Sequence, residues 1–186
     1  MHRRNTLSKL DSYLVRFPGE SETTSRMIEF INTHSDCFER ALSIGHMTGS
    51  ALLLDETLER TLLTHHRKLD RWLQPGGHAD GESDITSVCM REAKEESGLA
   101  KIELVSDALL DIDIHLIPAR GDEPEHYHYD CRFLLRCLGD DAYVVSEESH
   151  DLAWIKLPDI HEYTDEESIN RMVDKTTRFR SGDLKL

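Results

Sequence analysis

GGHADGESDITSVCMREAKEESGL, residues 76–99, joins a glycine pair to a short acidic loop and then to a run with helical spacing. Pro75, Gly76, Gly77 and Gly81 make the front half a loop that can bring backbone close to a ligand. A helix start is expected near Ser83 or Asp84. Laid on a helix at about 100° per residue with Glu92 at zero, Glu96 falls near +40° and Glu95 near −60°. Ile85, Val88, Cys89 and Leu99 share that sector, whereas Thr86, Ser87, Met90, Lys94 and Ser97 lie mostly opposite. The carboxylates therefore interrupt an apolar stripe.

An acidic run on an arbitrary helix is usually a solvated face. A stripe that begins and ends apolar instead faces the protein, so these carboxylates point inward or into a cleft. Like charges at that spacing repel unless a cation joins them. A hard divalent cation such as magnesium suits a few carboxylates plus substrate oxygens, with manganese as its substitute. Zinc prefers His or Cys, and this helix offers only Cys89. Arg91, one turn before Glu95, is placed to pair with it and hold it.

The rest of the chain bounds the reading. Its 186 residues suffice for one domain with a real core. With 36 acidic against 22 basic side chains, the formal charge of −14 disfavours duplex nucleic acid and anionic lipid as partners. No apolar run reaches the length of a membrane span, and MHRRN at the start leads into no signal-type apolar stretch. Cys37, Cys89, Cys131 and Cys137 form no Cys-x-x-Cys pair and read as reduced, mostly buried thiols of a cytoplasmic protein.

Residues 1–41 carry two helical patterns, NTLSKLDSYLVRF and SETTSRMIEFINTH, broken by Pro18 and Gly19, and are expected to form a helical appendage. Residues 42–186 change to short strand-like runs, with helices near 84–97 and 164–178. The expected architecture is a mixed sheet with helices packed on it. In LDIDIHLI, Leu110, Ile112, Ile114 and Leu116 alternate with Asp111, Asp113 and His115, so one face should meet a core. In EHYHYDCRF, His126, His128, Asp130 and Arg132 share one face, which is placed to line a cleft. A transition metal on that face is the less favoured reading. HHRK at 65–68 reads as an exposed hairpin turn, and Trp72 as a packed aromatic.

Residues 77–99 resemble the Nudix box: Gly77, Arg91 and Glu92, an apolar Ala93, Glu95 and Glu96, then Gly98 and Leu99. Ser83 stands where that pattern has its first Glu, with Glu82 and Asp84 on either side. Residues 45–75 and the SEESHDLAWIKLPDI stretch also resemble the family. The resemblance implies an α/β/α sandwich with a mixed sheet, and magnesium-dependent hydrolysis of a nucleoside diphosphate linked to another moiety. It implies Glu92, Glu95 and Glu96 as catalytic metal ligands, with Gly77, Arg91, His126 and His128 toward the substrate. For the general base it leaves a box glutamate or a loop carboxylate, here Glu147 or Glu148, of which Glu148 is the candidate. It also implies a homodimer. A ligand sensor that has lost catalysis is the alternative that Ser83 keeps open. A diphosphate isomerase on the same fold is disfavoured, because HYHYD lacks its Glu-His-Glu motif and no Cys lies in a matching context.

Overall fold

The computed structural model describes residues 2–121 and 123–186. Two helices, α1 (Arg4–Arg16) and α2 (Ser21–Thr33), precede β1 (Gly45–Leu54), β2 (Arg60–His66), β3 (Arg71–Leu73) and β4 (Gly76–His78). Then come α3 (Ile85–Ser97), β5 (Ile102–Leu104), β6 (Asp111–Ile117), β7 (His126–Cys137), β8 (Ser149–Lys156) and α4 (Glu167–Ser181). All eight strands join one sheet. Its spine is the parallel pair β1 and β7, and every other pairing is antiparallel. The sheet is therefore mixed, with helices on it, as expected from the sequence.

β1 explains why the sheet needs two helical layers. Its ten residues are buried throughout, which is the pattern of a central strand covered on both faces. Ala51 and Leu53 enter one apolar cluster with Val88, Cys89 and Ala93 of α3, while Leu52 and Leu54 enter another with Ile169 and Met172 of α4. The period-2 alternation of a single strand thus feeds both layers.

The N-terminal helices are not an appendage. Leu10 and Tyr13 of α1 and Met27, Phe30 and Ile31 of α2 lie in the same cluster as α3 and β1. Phe30 stacks on Tyr129 of β7 with centroids 3.7 Å apart. The Pro18–Gly19 break reads in sequence as a boundary, but it only lets α2 fold back against the sheet. Residues 1–41 and 42–186 share one core.

The polar face of β6 also differs from expectation. Asp111 is fully buried and takes the Lys175 ammonium at 2.6 Å and the Arg171 guanidinium at 2.7 Å, both from α4. Lys175 also reaches Glu20 and the Tyr13 hydroxyl, each at 2.6 Å. Buried charges survive only when paired and hydrogen-bonded. The network ties the start of the chain to its end. On the other face, Leu110 packs with the α4 cluster while Ile112 packs with the α3 cluster, so the apolar residues of LDIDIHLI divide between layers.

Candidate active site

Helix α3 delivers the box carboxylates, and local contacts fix its position. Asp84 caps the N-terminus by accepting from the Thr86 N–H at 3.2 Å, and Glu82 accepts from the Asp84 N–H at 2.8 Å. The helix stops at Gly98, whose φ of 68° lies in the left-handed region that favours glycine. In between, the Cys89 thiol donates to the Ser50 carbonyl of β1 at 3.0 Å, which pins the helix to the sheet.

Two turns of that helix face a cleft of about 420 Å³. Glu92, Glu95, Glu96 and Glu148 line it together with Gly76 and Gly77. The three box carboxylates are not equivalent, as their shared sector would suggest. Glu96 is 9% exposed and accepts from the Gly76 N–H at 3.0 Å. The Glu92 side chain is 14% exposed, whereas that of Glu95 is 62% exposed at the rim. Burial, followed by the charges of Glu92 and Glu148, pushes Glu96 up to about 8. Burial raises Glu92 as well, with Glu95 and Glu148 adding to the rise and Arg91 opposing it. Four carboxylates thus crowd one another from two separate elements, α3 and the segment ahead of β8.

Gly77 owes its place to that crowding. A Cβ there would stand 2.4 Å from Glu92 Oε2 and 2.5 Å from its Cδ, so only glycine leaves the carboxylate where it is. This donor set fits a hard divalent cation: all its donors are oxygen, it is partly desolvated, and its own charges repel. Glu92, Glu95 and Glu96 would hold such an ion, and the cleft has room for substrate oxygens beside it.

Other sequence expectations shift. Arg91 does not line the cleft; its guanidinium holds Glu92 at 2.5 Å and the His78 carbonyl at 2.9 Å, and it also makes the expected one-turn ion pair with Glu95 at 3.6 Å. Its contacts in this structure are with those two carboxylates and that carbonyl, so it is placed to orient the helix's carboxylates. His126 is buried behind His128 and opens to a neighbouring groove, whereas His128 does line the cleft. Glu148 lines it and Glu147 does not. Glu82, Ser83 and Asp84 also lie outside its wall, because two of them are engaged in starting the helix.

The rest of the lining mixes cationic and neutral groups with Asp80 and Asp130. The turn expected at 65–68 starts only at Arg67, because His65 and His66 are paired in β2; His66 and Lys68 reach the cleft, as does Arg40, while Arg67 turns away to the Ser149 carbonyl at 2.8 Å. Trp72 packs on His65 with centroids 5.0 Å apart and takes no part in the site. At the floor, Asp130 accepts from Thr48 at 2.9 Å, Ser50 at 2.8 Å and Arg132 at 2.7 Å, so it is a satisfied brace with its charge matched. The cleft thus brings Arg40 and Lys68 into the same lining as the carboxylates.

A family model described as the NUDIX domain matches residues 46–175. The chain belongs to the Nudix family. This Nudix domain is a hydrolase of the pyrophosphohydrolase class, and such enzymes generally use divalent metal ions. No curated protein matches the chain. Among solved structures, a C. elegans Ap4A hydrolase in binary complex superposes with a TM-score of 0.53 at 19% identity, covering 73% of this chain and 98% of that one. The E. coli dihydroneopterin triphosphate pyrophosphohydrolase gives 0.57 at 16% identity, covering 69% and 92%. The Nudix hydrolase RenU of M. smegmatis gives 0.56 at 15% identity, covering 76% and 90%. At these identities the likeness establishes the fold. The three box carboxylates and Glu148 fall within the matched region, as does the sheet apart from Gly45.

Sequence reasoning missed His46 and His78 altogether. His78 lines the cleft, and His46 lies buried just behind it. The register explains how they reach His128: His46 pairs with His128 across the parallel β1–β7 ladder, and His78 pairs with Thr48 of β1, two residues on and on the same face. The available signal was the recurrence of histidine at strand ends. Without the pairing register it carries no spatial meaning.

Proposed function

We propose that this Nudix domain hydrolyses the pyrophosphate bond of a nucleoside diphosphate linked to another moiety, using magnesium held by Glu92, Glu95 and Glu96. The observation that carries this reading is the buried pair Glu92 and Glu96 facing Glu148 in one cleft, with their proton affinities raised. Manganese can replace magnesium in an all-oxygen set of this kind. When bound, the metal neutralises the diphosphate and activates a water for in-line attack.

The chain's own residues do the rest. Glu96 is oriented by the Gly76 N–H, and Glu92 by Arg91 and by the missing side chain at Gly77. Glu148, exposed at the mouth, is the group able to take a proton from the attacking water and return it to solvent. Lys68 and Arg40 offer the diphosphate positive charge from the rest of the lining. The alternative, a sensor without catalysis, rests on Ser83, and the three carboxylates Glu92, Glu95 and Glu96 that remain in the cleft favour the hydrolase.

The test is turnover on a panel of nucleoside diphosphate conjugates, read by coupled phosphate release, with and without magnesium. Magnesium-dependent turnover that collapses in Glu96→Gln is expected. Undiminished turnover in that variant, or none on any conjugate, overturns the reading.

A further inference from the structure

Beyond the glutamate site, and independently of it, we propose a second metal site in which His46, His78 and His128 bind a first-row transition cation, zinc foremost. These three residues come from β1, β4 and β7, and one ring nitrogen from each lies within 4.8 Å of the other two. Metal–nitrogen bonds of about 2.0–2.1 Å place two imidazole nitrogens of a tetrahedral centre roughly 3.3 Å apart. His78 Nε2 and His128 Nε2 are 3.3 Å apart. His126 Nε2 also stands 3.3 Å from His128 Nε2, ready as a further donor.

Hydrogen bonding alone does not account for this packing. In any protonation state a ring nitrogen carries either one hydrogen or one lone pair, so His128 Nε2 can bond to His78 or to His126 but not to both. The tautomer of His126 is set by its Nδ1, which donates to the Pro124 carbonyl at 2.8 Å and leaves the Nε2 lone pair facing His128. His115, paired with His128 across β6 and β7, donates from Nδ1 to Asp113 at 3.0 Å in the same manner. Both outer rings are thus held the way ligating or ligand-supporting histidines are held.

His46 is the second, separate observation. It is 2% exposed, and among the described residues neither of its ring nitrogens has a hydrogen-bond partner. A buried imidazole with two idle nitrogens is costly. Turning that ring toward His78 and His128 breaks no bond and closes the remaining distance. Each histidine would give the metal the lone pair of a neutral ring nitrogen. Neutral imidazole favours zinc, copper or nickel over magnesium, so the two sites select different ions from the same solution.

The experiment uses untagged, metal-stripped full-length protein, with Co²⁺ and Zn²⁺ as probes. One equivalent should bind per chain, with intense visible Co²⁺ bands of a four- or five-coordinate nitrogen site and a Zn²⁺ absorption-edge shell of at least three imidazoles. Glu96→Gln should leave these signals intact. His78→Asn and His128→Asn should weaken binding by more than the about 100-fold that loss of an outer-shell partner costs. Melting in chelator establishes that each variant is folded, and the wild-type X-ray absorption spectrum decides should a variant fail. Sub-stoichiometric binding, a six-coordinate oxygen spectrum, or binding lost in Glu96→Gln but kept in the histidine variants overturns the site. None of these outcomes depends on turnover, so this proposal and the hydrolase reading fail separately.

Discussion

Replacing Glu96 by Gln should make the metal-free protein more stable while abolishing its activity, and the size of the effect follows from the burial of one carboxylate. Glu96 is raised from 4.5 to about 8, chiefly by burial. The unfolded chain releases this proton near 4.5, whereas the folded chain keeps it until about 8. Between those values the folded state holds more protons, so stability falls as pH rises, and the full cost is present above 8. At about 1.4 kcal/mol per unit, ionising Glu96 in the fold costs about 5 kcal/mol. Gln is nearly isosteric, keeps an oxygen for the Gly76 N–H and carries no charge. For a chain of this size each kcal/mol moves Tm by about 2–4 °C, so the variant should melt about 10 °C or more above wild type at pH 8.5 in chelator. At pH 4.5 the two should coincide. Calorimetry at the two pH values, with magnesium added in a second series, makes the measurement. Magnesium should raise the wild-type Tm more at pH 8.5 than at pH 5 and leave the variant unmoved. Equal melting of the two proteins at pH 8.5 in chelator would refute the argument that Glu96 is held at a cost for the sake of a cation.

The remaining predictions concern neighbours of that carboxylate and the ionic network. Gly77→Ala places a Cβ against the flexible carboxylate of Glu92, so Tm should change little while the magnesium concentration for half-maximal activity rises at least about tenfold, as magnesium titration would show. Glu148→Gln should lower kcat by about 10²–10⁴-fold with magnesium affinity kept within a few-fold; loss of affinity instead would make Glu148 a ligand. Arg91→Lys should raise the magnesium requirement through Glu92, and leave substrate KM unchanged because Arg91 is outside the cleft wall. Lys175→Met removes one of the cations on the buried Asp111, which keeps Arg171 at 2.7 Å, and should cost about 1.5–3 kcal/mol, measurable by urea unfolding.

Much of the glutamate site was legible in one stretch of sequence, because a helix fixes the angular relation of residues three and four apart whatever surrounds it. Glu92 and Glu96 on an inward stripe follow from residues 85–99 alone, and of the two helix starts expected, Ser83 or Asp84, the structure takes Asp84 as the cap. The same reasoning overreached at Glu95. A sector on a helix says which way a side chain leaves, not how far the neighbouring wall extends, and here the wall ends before Glu95 does. Arg91 shows what spacing leaves out: it pairs with Glu95 as the helix geometry suggests, and it also holds the less exposed Glu92.

The division at residue 41 failed for a related reason. Amphipathic spacing in α1 and α2 announces an apolar face but not its partner, and that partner is the sheet itself. Asp111 looked like a solvated strand residue until α4, 60 residues away in sequence, brought Arg171 and Lys175 to it. Nothing local distinguishes a buried aspartate from an exposed one, since the compensating charge comes from elsewhere in the chain.

The sequence by itself determined the sheet with its helices and the carboxylates of α3, because these rest on periodicities of 3.6 and 2 that local backbone geometry enforces, and its resemblance to the Nudix box pointed to the family. Only the tertiary structure decided which carboxylates are buried, what Arg91 holds, and that His46, His78, His126 and His128 meet. Those histidines lie up to 82 positions apart, and they converge through the register of β1 with β4 and β7, a long-range property that no spacing along the chain encodes.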